Sequence, residues 1–371
     1  MKRKHAITTA IVVLILGILV YAQFRTWRRF DWHQFFEQTG RVSIWMILGG
    51  VLLIYSVYVL RAIRWAIFLA PAKKTEFTRM IPSQFIGFTG LALLGRPGEF
   101  VRPYLVAKKE DLTFSSQLAV WAVERVFDMC SVALLLGATL AFKGGKYKQF
   151  PQVEQAGIAM LVLATALALF VIALWWRSEA ISNFIERILR MFSEKIAGAV
   201  CRRVRAFGEG LHTIHSWRSF VAVALLSIGI WLIIARAYIQ VMHAYPQTTS
   251  IRYVDEDNDP STPAIPVTKT VRLHEMKLED VLLVMGASMI GSVVQLPGVG
   301  GGSQLAVIGL LSSDIFKGEP YNITRELAVS CGIMLWLVTF MSVIPAGLFL
   351  AHRERISLKA VSEESEAEAE G

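Results

Sequence analysis

The sequence predicts an all-α membrane protein, and both its composition and its hydropathy pattern support this fold class. Hydrophobic residues make up 54% of the 371 residues and charged residues only 18%, whereas a soluble domain is about 25% charged. The apolar residues also form at least six long blocks. A helix of about 20 apolar residues spans the hydrocarbon core of a bilayer. These observations favour a polytopic helical bundle over a soluble protein with buried core helices.

The predicted spans all belong to one integral membrane domain over residues 1–351. The first span follows a basic N-terminus and is longer than the core of a signal peptide, which favours an uncleaved helix over a leader ending near residue 22. The distribution of basic residues predicts a multi-pass protein of the inner (plasma) membrane with both termini in the cytoplasm. The six predicted spans are 6–24, 43–70, 115–142, 156–176, 220–242 and 326–351.

Two further apolar stretches are interrupted by glycine and proline. Residues 80–94 reach only about 22 Å as a helix, which is too short to cross a bilayer, and they end at a Gly-Arg-Pro-Gly sequence. In the second half, residues 278–296 and 303–316 flank a glycine-rich break. Because lipid cannot satisfy free backbone groups, we predict two re-entrant (broken) helical hairpins that open on opposite sides. This pattern is typical of transporters with an inverted repeat.

Three polar segments accompany the spans. Residues 177–219 are rich in arginine and lysine, and we predict a cytoplasmic amphipathic segment on an anionic membrane surface. Residues 244–276 are acidic and contain several prolines, which predicts an external loop of low order. Residues 352–371 predict a disordered acidic tail.

The first break carries three charged residues that are candidates for binding a lipid phosphate. Arg96 and Arg102 suit this role because the planar guanidinium fork binds two oxygens at once. Glu99 is expected to orient one of these arginines. Charges within a membrane are expensive and usually line a water-filled cavity. The alternative is that all three are solvated charges of a cytoplasmic loop.

The third span contains Glu124, Arg125 and Asp128, which form the second group of candidates. Glu124 and Asp128 are four residues apart and therefore share one helical face. Ionisable groups at this depth need partners, so we expect one of the two carboxylates to pair with Arg96 or Arg102. Such a cluster marks a substrate or proton path, or it is an ion-pair network that only clamps two helices.

Three other arginines are weaker candidates. Arg61 and Arg64 lie near the end of the second span, and we expect them to extend toward the cytoplasmic headgroups. Arg236 lies deeper in the fifth span and is a candidate for the cavity.

The second break offers backbone groups rather than charges. Pro297, Gly298 and Gly301 precede an apolar helix that starts at Ser303, and the N-terminus of a helix attracts anions. The alternative is a surface of small residues for close helix packing. The glycines match neither a dinucleotide-binding nor a P-loop motif, because no strand precedes them and no Gly-Lys-Ser/Thr follows.

Other kinds of chemistry have little support. Cys130, Cys201 and Cys331 form no Cys-x-x-Cys motif, so we expect no disulfide, no metal site and no cofactor. The net charge of +9 fits anionic lipid headgroups, and no pattern indicates nucleic acid. The acidic triplet at 255–257 resembles the Asp-x-Asp of metal-dependent sugar transferases, which keeps a membrane-embedded glycosyl- or acyltransferase as an alternative.

Two motifs carry a resemblance to a known family. Leu-Gly-Arg-Pro-Gly-Glu-Phe-Val-Arg at 94–102, followed by Glu-Arg-Val-Phe-Asp at 124–128, resembles the transmembrane region of lysylphosphatidylglycerol synthases, also called flippase-like proteins. The glycine break at 296–301 is similar to the second break of that family, and the resemblance covers nearly all of 6–351. The family often has an Arg-Glu pair after this break, where the present chain has Ser303 and Gln304.

The resemblance implies translocation of lipids between leaflets. Because Arg96 and Arg102 are candidates for holding a phosphate, we expect the substrate to be an anionic phospholipid or a polyprenyl-phosphate-linked lipid. In full synthases a soluble aminoacyl-transferase domain follows the membrane region. The present chain ends soon after its last span, so we expect no lysyl-transfer activity and no enzyme. The remaining alternative is a membrane scaffold for a separately encoded transferase.

Overall fold

A computed structural model describes residues 32–142, 151–190, 216–254, 265–292, 295–296, 300–354 and 356. The predicted all-α fold class is confirmed, because helices make up nearly all of this part of the chain. We number the helices in chain order. They are α1 (Trp32–Gly40), α2 (Ile44–Leu69), α3 (Phe77–Leu94), α4 (Val101–Glu110), α5 (Phe114–Phe142), α6 (Pro151–Arg190), α7 (Trp217–His243), α8 (Leu278–Gly291), α9 (Gly302–Leu311), α10 (Asp314–Lys317), α11 (Arg325–Trp336) and α12 (Val343–Arg353).

Several of these helices have the length and composition of membrane spans. Among the described residues, four helical segments are long and apolar enough to cross a bilayer: Ile44–Leu69, Gly157–Arg177, Trp217–His243 and Arg325–Arg353. The last of these joins α11 to α12 through a π-helical turn, Leu337–Met341. Helix α5 has 29 residues but carries three ionisable side chains in its middle. The predicted first span, 6–24, lies outside the described residues.

The first broken element is a tight helical hairpin. Helix α3 ends where Gly95 takes a φ of 72°, and a 3₁₀ turn, Arg96–Phe100, leads into α4. A Cβ atom on Gly98 would lie 2.2 Å from the carbonyl oxygen of Gly90. Any side chain at Gly98 would therefore push the turn away from α3, so this residue is what allows the two arms to close.

The second broken element is also a hairpin. Helices α8 and α9 pack against each other, and a short antiparallel ladder pairs β3 (Gln295–Leu296) with β4 (Gly300–Gly301) between them. A Cβ atom on Gly291 would lie 2.1 Å from the carbonyl oxygen of Gly302, so the arms meet at backbone distance. Pro297 and Gly298 lie outside the described residues.

The main apolar core joins both halves of the chain. Its largest buried cluster includes side chains from α2, α3, α7, α8 and α11. Examples from these five helices, in order, are Tyr58, Phe85, Tyr238, Met285 and Leu335. Lipid tails are as apolar as these side chains, so van der Waals packing between the helices, rather than removal from water, stabilises this cluster.

The predicted low order of 244–276 is wrong for the residues that the structure describes. They form an antiparallel hairpin of β1 (Thr248–Val254) and β2 (Ile265–Val271), followed by a 3₁₀ turn, Leu273–Glu275. Threonine and β-branched residues dominate both strands, and these residue types favour an extended backbone. Residues 255–264 lie outside the described part.

The polar segments are only partly described. Residues 178–190 of the predicted amphipathic segment continue α6 beyond a break in helical geometry at Arg177, where φ is −143° and ψ is 58°. Residues 191–215 lie outside the described part of the chain, as do residues 357–371 of the predicted acidic tail.

Candidate functional site

A cluster of charged side chains is buried where α2, α4 and α5 meet. Arg61 and Arg64 lie on α2, Arg102 lies on α4, and Glu124 and Asp128 lie one turn apart on α5. None of these five side chains has more than 6% of its surface exposed. Buried charges persist only when they are paired and hydrogen-bonded, and this cluster meets that condition through a network of contacts.

Glu124 is the centre of the network. Both Nη atoms of Arg102 donate to it, Nη1 to Oε1 at 3.2 Å and Nη2 to Oε2. Oε1 also accepts from Nη2 of Arg64 and, at 3.3 Å, from Nη1 of Arg61. One carboxylate thus holds arginines from two different helices.

Asp128 repeats this arrangement one turn later. Its Oδ1 accepts from Nη1 of Arg64 at 2.7 Å, and its Oδ2 accepts from Nη1 of Arg61 at 3.3 Å. Arg125 contributes a third ion pair, with 3.2 Å between its Nη2 and Oδ2 of Asp128. The indole Nε1 of Trp231 on α7 donates to Oδ1 at 3.3 Å.

Neutral side chains fix the orientation of the arginines. Arg102 lies with its Cζ 4.5 Å from the ring centre of Trp65 and 5.2 Å from that of Phe88, which is the distance range of cation–π contacts. Gln84 accepts from Nη1 of Arg102 at 3.1 Å, and Ser227 accepts from Nη1 of Arg64 at 2.7 Å. These contacts hold the guanidinium planes in place.

The charges in this cluster do not balance. Among the described residues, four arginines (Arg61, Arg64, Arg102 and Arg125) contact two carboxylates, so positive charges exceed negative charges by two. Charges interact more strongly in a low-dielectric interior than in water. The cluster is therefore suited to attracting an anion.

The excess charge faces a cavity of about 340 Å³, which we call the charged chamber. Its charged lining residues are Arg61, Arg96, Glu99, Arg102, Arg125 and Asp128. Arg96 donates from Nη1 to Oε1 of Glu99 at 2.6 Å and from Nη2 to the carbonyl oxygen of Ser292 at 3.2 Å. The second of these contacts connects the turn of the first hairpin to the end of α8.

A second cavity of about 200 Å³ adjoins the first, and we call it the apolar chamber. Most of its wall is apolar, and Arg61 is its one charged lining residue within the described part of the chain. The two chambers share Arg61, Phe88, Trp231, Met289, Ser292 and Phe340. Because these residues line both spaces, a chamber with six charged lining residues and a chamber with one charged lining residue lie side by side in the described part of the chain.

Comparison with known protein families identifies the family of this chain. The model of the lysylphosphatidylglycerol synthase transmembrane region matches residues 7–251, which is more than half of the chain. The chain belongs to this family. The match includes the first hairpin and the charged cluster, whereas the second hairpin lies beyond it. Comparison with curated proteins and with solved structures gave no match.

The candidate residues of the first break and of α5 lie in or behind the wall of the charged chamber. Arg96, Glu99, Arg102, Arg125 and Asp128 line the charged chamber, and Glu124 lies behind its wall. The predicted pairing of a span carboxylate with an arginine of the first break is present, with Arg102 as the partner. Arg96 instead pairs with Glu99.

The expected role of the second break in binding an anion stays a prediction, because Pro297 and Gly298 lie outside the described residues. Gly301 is described, and its N–H donates to Oε1 of Gln304 at 3.0 Å, so the first turn of α9 is capped from within the chain. Ser303 and Gln304 both line the apolar chamber. The two positions that often carry charges in the family are therefore neutral and face an apolar space.

The prediction that Arg61 and Arg64 extend to the headgroups is wrong. Their side chains are only 6% and 0% exposed, because each is drawn inward by Glu124 and Asp128. Arg236 was expected in the cavity but is exposed on α7 and lines neither chamber.

Sequence reasoning missed four neutral residues that contact the buried charges: Trp65, Gln84, Ser227 and Trp231. One signal was available, because two arginines three residues apart within an apolar helix need counter-charges, and Glu124 and Asp128 supply them. Nothing in the spacing of the neutral residues indicates their role.

The described residues offer few groups for metal binding or group transfer. They contain no group of three potential metal ligands from His, Cys, Asp or Glu. Cys130 and Cys331 are free thiols. The acidic triplet at 255–257, which suggested a transferase, lies outside the described residues.

Proposed function

We propose that this protein moves an anionic lipid, either a phospholipid or a polyprenyl-phosphate-linked lipid, between the leaflets of the inner membrane. The observation that supports the proposal best is the excess of two positive charges beside a chamber that adjoins an apolar one. A lipid likewise has a charged headgroup and an apolar chain, and its headgroup crosses hydrocarbon only slowly without such a compartment.

The headgroup would enter the charged chamber. Arg102 and Arg125 present guanidinium groups there, and Arg61 faces both chambers. Guanidinium groups bind phosphate through paired N–H···O bonds. The Nε of Arg125 is buried and has no hydrogen-bond partner among the described residues, so this side chain has a donor that its present contacts leave unused.

The apolar chamber would hold the first part of an acyl or prenyl chain. Its wall includes Tyr58, Met285, Leu335 and Trp336, and its volume is about 200 Å³. A chamber of this size takes only a segment of a chain, so the rest would extend into the surrounding bilayer. Such a wall would replace the lipid neighbours of the chain at little cost, because both surroundings are apolar.

Movement between leaflets requires the chamber to open to each side in turn. In the proposed cycle the two helical hairpins are re-entrant elements, and their movement opens the chamber to one side or the other, as in transporters with broken helices. The contact between Arg96 and the carbonyl oxygen of Ser292 is a polar link between these hairpins in the observed state. An arriving phosphate would compete for Arg96, which would release this link.

Leaflet exchange in proteoliposomes tests the proposal. Labelled phosphatidylglycerol would be placed in one leaflet, and its loss from that leaflet compared between vesicles with and without the protein. We expect the protein to accelerate exchange and Arg125→Gln to slow it at least severalfold. The matched control is Arg190→Gln, because Arg190 lies in an exposed ion pair with Glu186 on α6. Exchange at the protein-free rate for both phosphatidylglycerol and a polyprenyl phosphate would reject transport and favour a scaffold for a separate transferase.

A further inference from the structure

We propose that the charged chamber selects a lipid whose headgroup carries two negative charges, such as a phosphomonoester, over lipids with monoanionic, zwitterionic or cationic headgroups. This inference rests on the proposed function and narrows its substrate class. It follows from the charge balance of four arginines, the buried Arg61, Arg64 and Arg102 and the partly exposed Arg125, against two buried carboxylates.

Both buried carboxylates already have an arginine partner at each oxygen. Glu124 contacts Arg61, Arg64 and Arg102, with a longer approach of 3.8 Å from Arg125. Asp128 contacts Arg61, Arg64 and Arg125. Three of the four carboxylate oxygens therefore contact more than one arginine, and the fourth, Oδ1 of Asp128, contacts Arg64 and Trp231. The excess of two charges has no counter-ion among the described residues around it.

The outer residues of the chamber leave this balance unchanged. Arg96 and Glu99 form an ion pair at 2.6 Å, so together they add no net charge. On the other side, Ser303 and Gln304 line the apolar chamber and are neutral. The excess charge is thus concentrated in one compartment, and a single headgroup would meet all of it.

The physical cost of unbalanced charge decides which headgroup fits best. A buried charge without a partner is strongly unfavourable. A dianion would neutralise both excess charges, whereas a monoanion would leave one and a zwitterion would leave two. A cationic headgroup would add a further positive charge to the excess.

Arg125 is the residue that would set this selectivity. Its side chain is 36% exposed, whereas those of Arg61, Arg64 and Arg102 are at most 6% exposed. It lines the charged chamber, and its buried Nε has no partner among the described residues. Its removal would lower the excess from two charges to one while leaving the ion pairs of Arg61, Arg64 and Arg102 in place.

Two short-chain lipids that differ by one methyl group test the inference. Dioctanoyl phosphatidic acid carries two charges at about pH 8, because the second pKa of a phosphomonoester is about 6. Dioctanoyl phosphatidylmethanol has the same chains and phosphate but one charge. Binding to the purified full-length protein in detergent would be followed by calorimetry. We expect phosphatidic acid to bind about tenfold more tightly, or more, which is about 1.4 kcal/mol, because its second negative charge would neutralise the second excess positive charge.

The variants connect this preference to Arg125. We expect Arg125→Gln to reduce the preference for phosphatidic acid severalfold, Arg125→Lys to retain most of it, and Arg190→Gln to leave it unchanged. Equal binding of the two lipids by a wild-type protein that accelerates leaflet exchange would overturn the inference and leave the proposed function standing. A wild-type protein that neither binds these lipids nor accelerates exchange would reject both. The comparison of the two lipids on the wild-type protein needs no variant, so it remains decisive if Arg125→Gln does not fold.

Discussion

Arg102 and Glu124 form a two-point contact that joins the first hairpin to α5: Nη1 donates to Oε1 at 3.2 Å, and Nη2 donates to Oε2. The stem of Arg102 is fixed as well, because a Cβ atom on Gly87 of α3 would lie 2.4 Å from the Cβ of Arg102. The turn of the hairpin and the charged cluster are therefore one structural unit. Changes in the cluster should alter both the fold and the transport of lipid.

Removal of the negative charge of Glu124 should destabilise the fold. In Glu124→Gln, Arg61, Arg64 and Arg102 lose their shared carboxylate, and breaking a buried ion pair costs about 3–5 kcal/mol. We expect a clear drop in the thermal unfolding temperature of the purified protein in detergent. The control is Glu37→Gln, whose partner Arg41 has 61% of its side chain exposed. Exposed pairs contribute only about 0–1 kcal/mol, so an equal drop in both variants would contradict the account.

The first hairpin should not tolerate a methyl group at its turn. In Gly98→Ala the new Cβ would meet the carbonyl oxygen of Gly90 at 2.2 Å, and forced overpacking costs about 1–3 kcal/mol or more. We expect lower yield and a lower unfolding temperature. Gly229→Ala on α7 is the matched control, since nothing lies within 4 Å of its Cβ position. A fully stable Gly98→Ala protein would show that the turn is more open than the structure indicates.

Arg64 and Asp128 should be energetically coupled. Nη1 of Arg64 donates to Oδ1 of Asp128 at 2.7 Å, and both side chains are at least 98% buried. A double-mutant cycle with Arg64→Gln and Asp128→Asn should give an interaction energy of about 1–3 kcal/mol. Either change alone already breaks the ion pair, so the double variant should lose less stability than the sum of the two single variants. The unfolding free energies of the four proteins provide the measurement. Strictly additive effects would mean that the pair is not a unit.

Adjacent positions on α8 should differ in their access to water. Met289 lines both chambers, whereas Ile290 faces outward with 70% of its surface exposed. In a protein with Cys130, Cys201 and Cys331 replaced, Met289→Cys in membranes should react with a charged, membrane-impermeant thiol reagent, and Ile290→Cys should react much more slowly because it would face lipid. Equal rates would contradict the placement of the chamber.

Much of the helical framework follows from hydropathy alone. The predicted span 43–70 corresponds to Ile44–Leu69, and the predicted span 220–242 lies within Trp217–His243. The agreement has a physical reason, since backbone groups in lipid must be satisfied within the segment, which fixes both helical structure and length. The β1–β2 hairpin was not predicted, because proline and acidic residues in 244–276 outweighed the extended-backbone preference of the flanking threonines and β-branched residues.

The site was predicted only in part, and Arg61 and Arg64 show why. A basic residue near the end of a span usually extends to the headgroups, so position alone placed both at the surface. In the structure they turn inward because Glu124 and Asp128 lie at the same depth on α5. Which helices adjoin is a property of the tertiary fold, so a single sequence does not supply it. The charged motifs did indicate Arg102 and Glu124, because their charge alone requires partners.

The passage of lipid through the chamber can be tested by blocking it after the protein has folded. Met289→Cys and Ile290→Cys would each be introduced into a protein that lacks the native cysteines and reconstituted in proteoliposomes. Leaflet exchange of labelled phosphatidylglycerol would then be measured before and after reaction with a bulky maleimide. We predict that the label at position 289 reduces exchange to the protein-free rate and that the label at position 290 leaves it unchanged. Undiminished exchange with position 289 fully labelled would contradict the proposal that lipid headgroups pass through this chamber.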